Sequence, residues 1–378
     1  AANTTGDYNT GNGAYALTAN TTADNNTAVG AYALTANTTG TQNTAVGKSA
    51  LASNTTATEG TAVGKDALLS NTTGEGNTGL GKAAMQDNTT GSYNAAAGLN
   101  ALSNNTTADN NTAFGVNAML VNTTGANNVA IGRSALDANT TADNNTAVGT
   151  DALGANTTGT LNTAVGMESL KACVGGGKHT ALGYGALKDQ TGGEENTAVG
   201  YLAGHNITTA SGNVGMGQEA LGAASGNFNV AIGRESLNDC TAADNVAVGK
   251  AALDTLSTGT RNVGIGKVAG DLLTSGSDNV LLGSNAGDNL VTGSQNVMIG
   301  SDTSLSATGG GNQIAMGQNV TCSGNSNFTF GDGTTDSNIA FGATSISAPS
   351  DVRLKEDIED EKIGLDFINE LRPVTFRW

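Results

Sequence analysis

Residues 26–42 read NTAVGAYALTANTTGTQ, and residues 43–59 read NTAVGKSALASNTTATE. The glycine that closes NTAVG falls at 13, 30, 47 and then every 17 residues to 217. It continues at 233 and 249 in steps of 16, then at 266, 283, 300 and 317, and lastly at 331 and 342. A second marker keeps the same beat. NTT begins at Asn3, Asn20, Asn37, Asn54, Asn71, Asn88, Asn105, Asn122, Asn139 and Asn156. A fixed period of this length is the signature of a solenoid, in which each repeat stacks on its neighbours.

The residue types select strands over helices. Glycine recurs too often for a helix, Asn and Thr favour turns, and β-branched Thr and Val suit a pleated surface. Two short strands per repeat are expected, one at T-A-V-G and one around A-L, with NTTG supplying the turn. The fold class is therefore all-β: a parallel β-roll or β-solenoid of 17-residue repeats, 21 copies long. At about 4.8 Å per coil it forms a rod of roughly 100 Å. Asn20, Asn37, Asn54, Asn71, Asn88, Asn105, Asn122, Asn139 and Asn156 are expected to form a structural ladder of side-chain amides along the rod. Cys173 and Cys240 occupy the same slot, and Cys322 completes an odd set of three. None has metal-site spacing, so all three read as small buried hydrophobes.

A coil offers one Val or Ile, one Leu and a few Ala to its core. Burying so little apolar surface cannot offset the entropy of ordering 17 residues, so no coil stands alone. In A-L the two side chains are expected to face opposite ways, one inward and one toward a partner chain. A homotrimer around a shared axis follows as the expectation.

Composition excludes several functions. The 378 residues carry a formal charge of −17, which opposes nucleic-acid binding. No apolar run approaches 18 residues, so no membrane insertion is expected. Two histidines, His179 and His205, assemble no triad or metal cluster. His179 replaces the Asn of NTAVG and reads as a ladder variant. There is no phosphate loop, no cofactor is expected, and no enzyme activity toward a polysaccharide is indicated. TADNN at 22–26, 107–111 and 141–145 and GDGTTDSN at 331–338 could be calcium loops, but ordinary turns explain them better. The NTT triplets are formal glycosylation sequons, better explained by the ladder. Their threonines also evoke an ice-binding array, a minor reading because the Thr pair adjoins a turn. Phe328, Phe330 and Phe341 are expected in the core of the shortened last coils. The opening AANTTG matches the middle of a repeat, so the sequence is expected to be a piece of a longer one.

The blocks NVAIGRESL (229–237), NVAVGKAAL (245–253) and NVGIGKVAG (262–270) resemble the head repeats of trimeric autotransporter adhesins. That resemblance implies a tight trimer of left-handed parallel β-rolls, although the 17-residue period is longer than that family's usual repeat. The composition then changes abruptly, with 13 charged residues among the last 28. SDVRLKEDIEDEKIGLDFINELRPVTFRW (350–378) resembles the start of the self-cleaving intramolecular chaperone domain at the C-terminus of phage tail spikes and fibres. The resemblance implies Ser350 as nucleophile, Lys355 as its base, and self-cleavage between Ser350 and Asp351. It also implies that residues 350–378 are only the first part of that domain. Asp351 is alternatively the cap of a helix over about 353–371.

Two regions follow: a repeat shaft over 1–345, and a linker with the chaperone start over 346–378. The expected function is a structural and adhesive fibre protein, a phage tail-fibre shaft or distal region. It would lie on the virion, with a host surface glycan or protein as receptor. The alternative is a trimeric adhesin or filament on a bacterial cell surface. A detachable clamp fits such a fibre, because near-identical coils invite register slips and long-range β-structure forms slowly.

Overall fold

A computed structural model describes residues 3–223 and 226–344. The chain winds as a parallel β-solenoid with one strand per coil. Eighteen three-residue strands run from β1 (Thr10–Asn12) and β2 (Thr27–Val29) to β18 (Val297–Ile299). They are followed by β19 (Gln313–Gly317), β20 (Asn327–Gly331) and β21 (Ser337–Ala340). All belong to one sheet. Registers step by one repeat, as in Thr27↔Thr44, Ala28↔Ala45 and Val29↔Val46. The 16-residue steps keep this register too: Val214 pairs with Val230, and Val230 with Val246.

Two expectations are corrected. First, the A-L segment is not a strand. Residues 31–36 form a run of turns, with Tyr32 at φ 64° and Leu34 at φ 49°. The left-handed residues break the alternation of a strand, so consecutive side chains turn the same way. Ala33 and Leu34 are both fully buried. The side that faces outward is carried instead by the first and third residues of each strand, such as Thr27 and Val29. Second, the stack has 20 parallel strands, not 21 coils. β21 returns antiparallel on β20, pairing Asn327 with Ala340 and Phe330 with Ser337. Gly342 therefore belongs to a closing hairpin.

The NTAVG glycine is fixed by contact between coils. Gly30 sits at φ 134°, and a Cβ there would lie 2.4 Å from the carbonyl oxygen of Gly47. Left-handed backbone and absent space both demand glycine. The turns close with the backbone reaching alternately up and down the stack. Tyr32 N–H donates to Ala14 O at 2.8 Å, and Leu34 N–H to Ala50 O at 3.0 Å.

Each coil encloses a thin interior. In the coil that closes at Leu34 it holds Asn20, Ala23, Asn26, Ala28, Ala33 and Leu34. The filling changes toward the C-terminus. Where Leu is replaced by Gly204, Gly270 or Gly287, the Asn slot three residues later holds Ile207, Leu273 or Leu290. A Cβ on Gly204 would come within 3.1 Å of Ile207 Cδ1, so the larger aliphatic side chain occupies the space that Leu leaves.

Candidate functional site

Two amide ladders run through the interior. In the first, Asn37 Nδ2 donates to Asn20 Oδ1 at 3.0 Å and to its own turn at Gly40 O at 2.9 Å. Asn54 donates to Asn37 at 2.8 Å, and the chain of donations continues through Asn71, Asn88, Asn105, Asn122 and Asn139 to Asn156. Both amide hydrogens and the oxygen are used, which is what burial of an amide requires. These Nδ2 atoms are enclosed in the folded chain and unavailable as glycosylation acceptors.

The second ladder is built from the Asn of NTAVG, which the sequence flagged only through His179. Asn43 N–H donates to Asn26 Oδ1 at 3.0 Å, and Asn26 Nδ2 donates to Gly40 O at 2.9 Å. Gly40 O therefore ties the two ladders across the coil. This ladder outlasts the first, reaching Asn296 and Gln313. The repetition of Asn immediately before the strand was its signal.

His179 imitates an Asn incompletely. Its N–H donates to Asn162 Oδ1 at 3.0 Å, and its Nδ1 accepts from Asn196 N–H at 3.2 Å. Its Nε2, buried, has no partner. Burial pushes the imidazole down to about 4, so it is neutral at pH 7. Cys173, Cys240 and Cys322 are buried and free, and burial pushes each thiol up to about 11. These are inert thiols. His205 lies apart, part-buried, with Nδ1 beside Leu202 O at 2.9 Å.

The acidic turns serve the stack. Asp24, Asp109 and Asp143 each accept a backbone N–H of the preceding coil at 2.7 Å. In GDGTTDSN, Asp332 accepts from the backbone of Thr334 and Thr335 and from the Thr334 hydroxyl. Those bonds hold its carboxyl down at about 2, and they close the β20–β21 hairpin. Asp254 differs: burial first, then the carboxylates of Asp239, Glu235 and Asp271, push it up to about 6.

The threonines of NTT divide their roles. The first turns its hydroxyl along the rod, as Thr38 does to Thr55 O at 3.0 Å. The second is exposed throughout. Half of the hydroxyls that an ice-binding face would present are thus spent inside the stack.

The outward face of the sheet carries columns of apolar side chains. The third residue of each three-residue strand forms one column, Val29, Val46, Val63, Leu80 and onward to Ile299, which Met316 continues in register. Val29, Val46, Val63 and Leu80 are 36–40% exposed, and others in the column are half-buried. The first residue of each three-residue strand forms a second column, Thr in most strands through β12 (Thr197–Val199) and Val from β13 (Val214–Met216) to β18, continued in register by Ile314 and Phe328. Phe328 and Phe330 end this face, their ring centroids 5.1 Å apart. They are not core, as expected from sequence, because strand alternation sends Thr329 inward instead. Phe341 is exposed. Tyr15 stacks on Tyr32 at 5.1 Å and Tyr184 on Tyr201 at 5.3 Å, again one ring per coil.

The residues read as a self-cleavage site, Ser350, Asp351 and Lys355, lie outside the described residues, as does the helix expected over 353–371. The fold and these ladders define a repeat β-solenoid. Residues 350–378 match the family model for the chaperone of endosialidase. A search of curated proteins found no match to the chain.

Proposed function

We propose that this chain is the shaft or distal part of a trimeric phage tail fibre, assembled with the help of a C-terminal chaperone. The observation that carries the reading is the chaperone match at 350–378, directly after a solenoid of 20 parallel strands. The solenoid is suited to a passive, load-spanning role. Its polar interior groups are almost all spent on neighbouring coils, and the acidic turns at Asp24, Asp109 and Asp143 hold the backbone of the preceding coil. Ser350 and Lys355 are the nucleophile and base of a single self-cleavage before Asp351, once a complete chaperone domain positions them. A serine needs such a base to attack near neutral pH, and a lysine can serve when burial lowers its pKa. The fibre would stand on the virion and meet a host surface glycan or protein.

The test is the native mass by light scattering beside the mass of the denatured chain. A ratio of three is expected. A ratio of one would remove the shared-axis fibre. In a chain carrying the whole chaperone domain, Ser350→Ala is expected to retain the C-terminal segment, seen as one uncut band after denaturation.

A further inference from the structure

We infer that the column of side chains immediately after the NTAVG glycine is a docking row for a linear acidic polysaccharide, held chiefly by Lys48, Lys65 and Lys82. The inference rests on the fibre reading, which brings the rod to a cell surface, and it adds a site and a ligand chemistry to that reading.

The argument begins with where the bases stand. Residues 1–345 hold 25 Asp and Glu against 11 Lys and Arg. Lys48, Lys65 and Lys82 follow the glycine on three successive coils. Arg234, Lys250 and Lys267 do so on three more, with Arg133 between the two runs. Seven of the 11 bases thus share one position of the repeat. From Gly13 to Gly317 that position never holds Asp or Glu. A rod that is acidic elsewhere carries a basic line along its length.

Pairing sets this line apart. The four bases outside the column are all in ion pairs: Lys171 and Lys188 with Glu168, Lys178 with Glu194 and Glu195, and Arg261 with Asp278. Inside the column, Lys65 lies 3.4 Å from Asp66, and Arg133 and Arg234 meet Asp151 and Glu235. Among the described residues, Lys48, Lys82, Lys250 and Lys267 have no ion pair. All four are exposed. Like charges on adjacent levels of a stack repel, and the chain leaves its lysines uncompensated only in this column. An anion from outside offsets that repulsion.

Spacing selects the ligand. The three lysines stand one coil apart, about 4.8 Å, on a line of roughly 10 Å. A sugar unit in an extended polysaccharide is nearly one coil long, so carboxylates on successive or alternate units meet the lysines in turn. Such a polymer is thin enough to follow one row and avoid the carboxylates of the other faces. A nucleic-acid duplex is not, and Ser49, Asp66 and Ala83 beside the lysines give bases no ring to stack on. The N-terminal run outranks Arg234, Lys250 and Lys267 because its coils are less acidic. Residues 43–92 hold four Asp and Glu, whereas residues 229–278 hold six.

The experiment uses the full chain and polygalacturonate, which carries one carboxylate per sugar unit, with uncharged dextran beside it. Calorimetry is expected to show polygalacturonate binding that weakens as salt rises to physiological strength, and no binding of dextran. Lys48→Gln, Lys65→Gln and Lys82→Gln together are expected to lower the affinity at least about tenfold. Lys178→Gln, Lys188→Gln and Arg261→Gln together remove the same charge from paired positions and are expected to change it less than about twofold. Circular dichroism and the continued unreactivity of the three buried cysteines report that each variant is folded, and light scattering gives its native mass. Equal losses in the two triple variants would show that net charge alone attracts the polymer, and would overturn the inference. So would a wild type that fails to bind polygalacturonate at low salt. A fall in native mass on changing Lys48, Lys65 and Lys82 would overturn it too, by assigning the column to contacts between copies. A protein of one chain that binds through these lysines would remove the fibre and keep the row. A three-chain protein that fails to bind would remove the row and keep the fibre.

Discussion

At the scale of single residues, this fold uses asparagine where most proteins use a hydrophobe. An amide buried in a stack can give both hydrogens and receive one bond, so each coil satisfies the next. His179 shows the cost of a near fit. Its imidazole is neutral in the fold, pushed down to about 4, whereas the unfolded chain protonates near 6.5. A group with a depressed folded value favours the fold above its unfolded value and penalises it as pH falls. Stability is therefore lost between about pH 6.5 and 4, by roughly 3 kcal/mol in total. His179→Asn is expected to abolish that loss and to add about 1 kcal/mol at pH 7, because its Nδ2 can donate where Nε2 has no partner. Denaturant midpoints of both proteins at pH 7 and pH 4.5 measure this. Equal acid sensitivity in the two would show that His179 does not titrate within the fold.

At the scale of the coil, positions trade volume within a repeat. Leu102 and Asn105 occupy the slots that elsewhere hold Gly204 with Ile207. Leu102→Gly opens a cavity, worth roughly 2–5 kcal/mol, partly relieved because Leu102 sits at φ 53°. Asn105→Leu removes donations to Asn88 and Ala108 and crowds the coil, for about 3 kcal/mol. The double change rebuilds the C-terminal style of filling. It is expected to cost at least about 1 kcal/mol less than the sum of the singles in urea melts. The turns carry a second expectation. Asn26 donates to a carbonyl 14 residues on, but Asn229 donates to Ala242, 13 residues on. The omitted position is the second threonine of NTT. Deleting Thr124, which is exposed, should cost no more than about 2 kcal/mol, whereas deleting the buried Ala130 from its strand should prevent folding. Circular dichroism separates the two. The legibility of this fold has the same origin. The strand, the amide slot and the 17-residue register follow from hydrogen-bonding and spacing rules that act locally, so the sequence carries them openly. The A-L turn was hidden, because leucine at positive φ defies its own preference and is held there only by bonds to the coils on either side. Reading A-L as a strand put a side chain outside that lies inside. It thereby displaced the expected partner surface from the strand to the turn. The closing hairpin was hidden too, since NIAFG looks like another copy until its pairing is seen.

At the scale of the whole molecule, the virtue of the repeat is also its hazard. A shift of one coil along the outward face exchanges Thr for Thr or Val for Val at most levels of the first column, and one apolar residue for another in the third. The sharpest change in side-chain size falls between the all-alanine β6 (Ala95–Ala97) and Phe114 of β7 (Thr112–Phe114). If so little distinguishes registers, the information must come from outside the shaft, and on the proposed fibre reading a chaperone at one end would supply it. This can be put to a direct trial. Removing residues 112–128 takes out one whole coil, Phe114 with it, and keeps every other pairing. The shortened chain and the full chain, refolded together without a complete chaperone domain, are expected to form mixed assemblies in near-statistical proportion by native mass spectrometry. The mixed species would carry a one-coil overhang worth only the contacts of a single level. Strict sorting into like assemblies would mean that Phe114 and its neighbours encode register within the shaft itself. The chaperone would then be needed to speed assembly rather than to direct it.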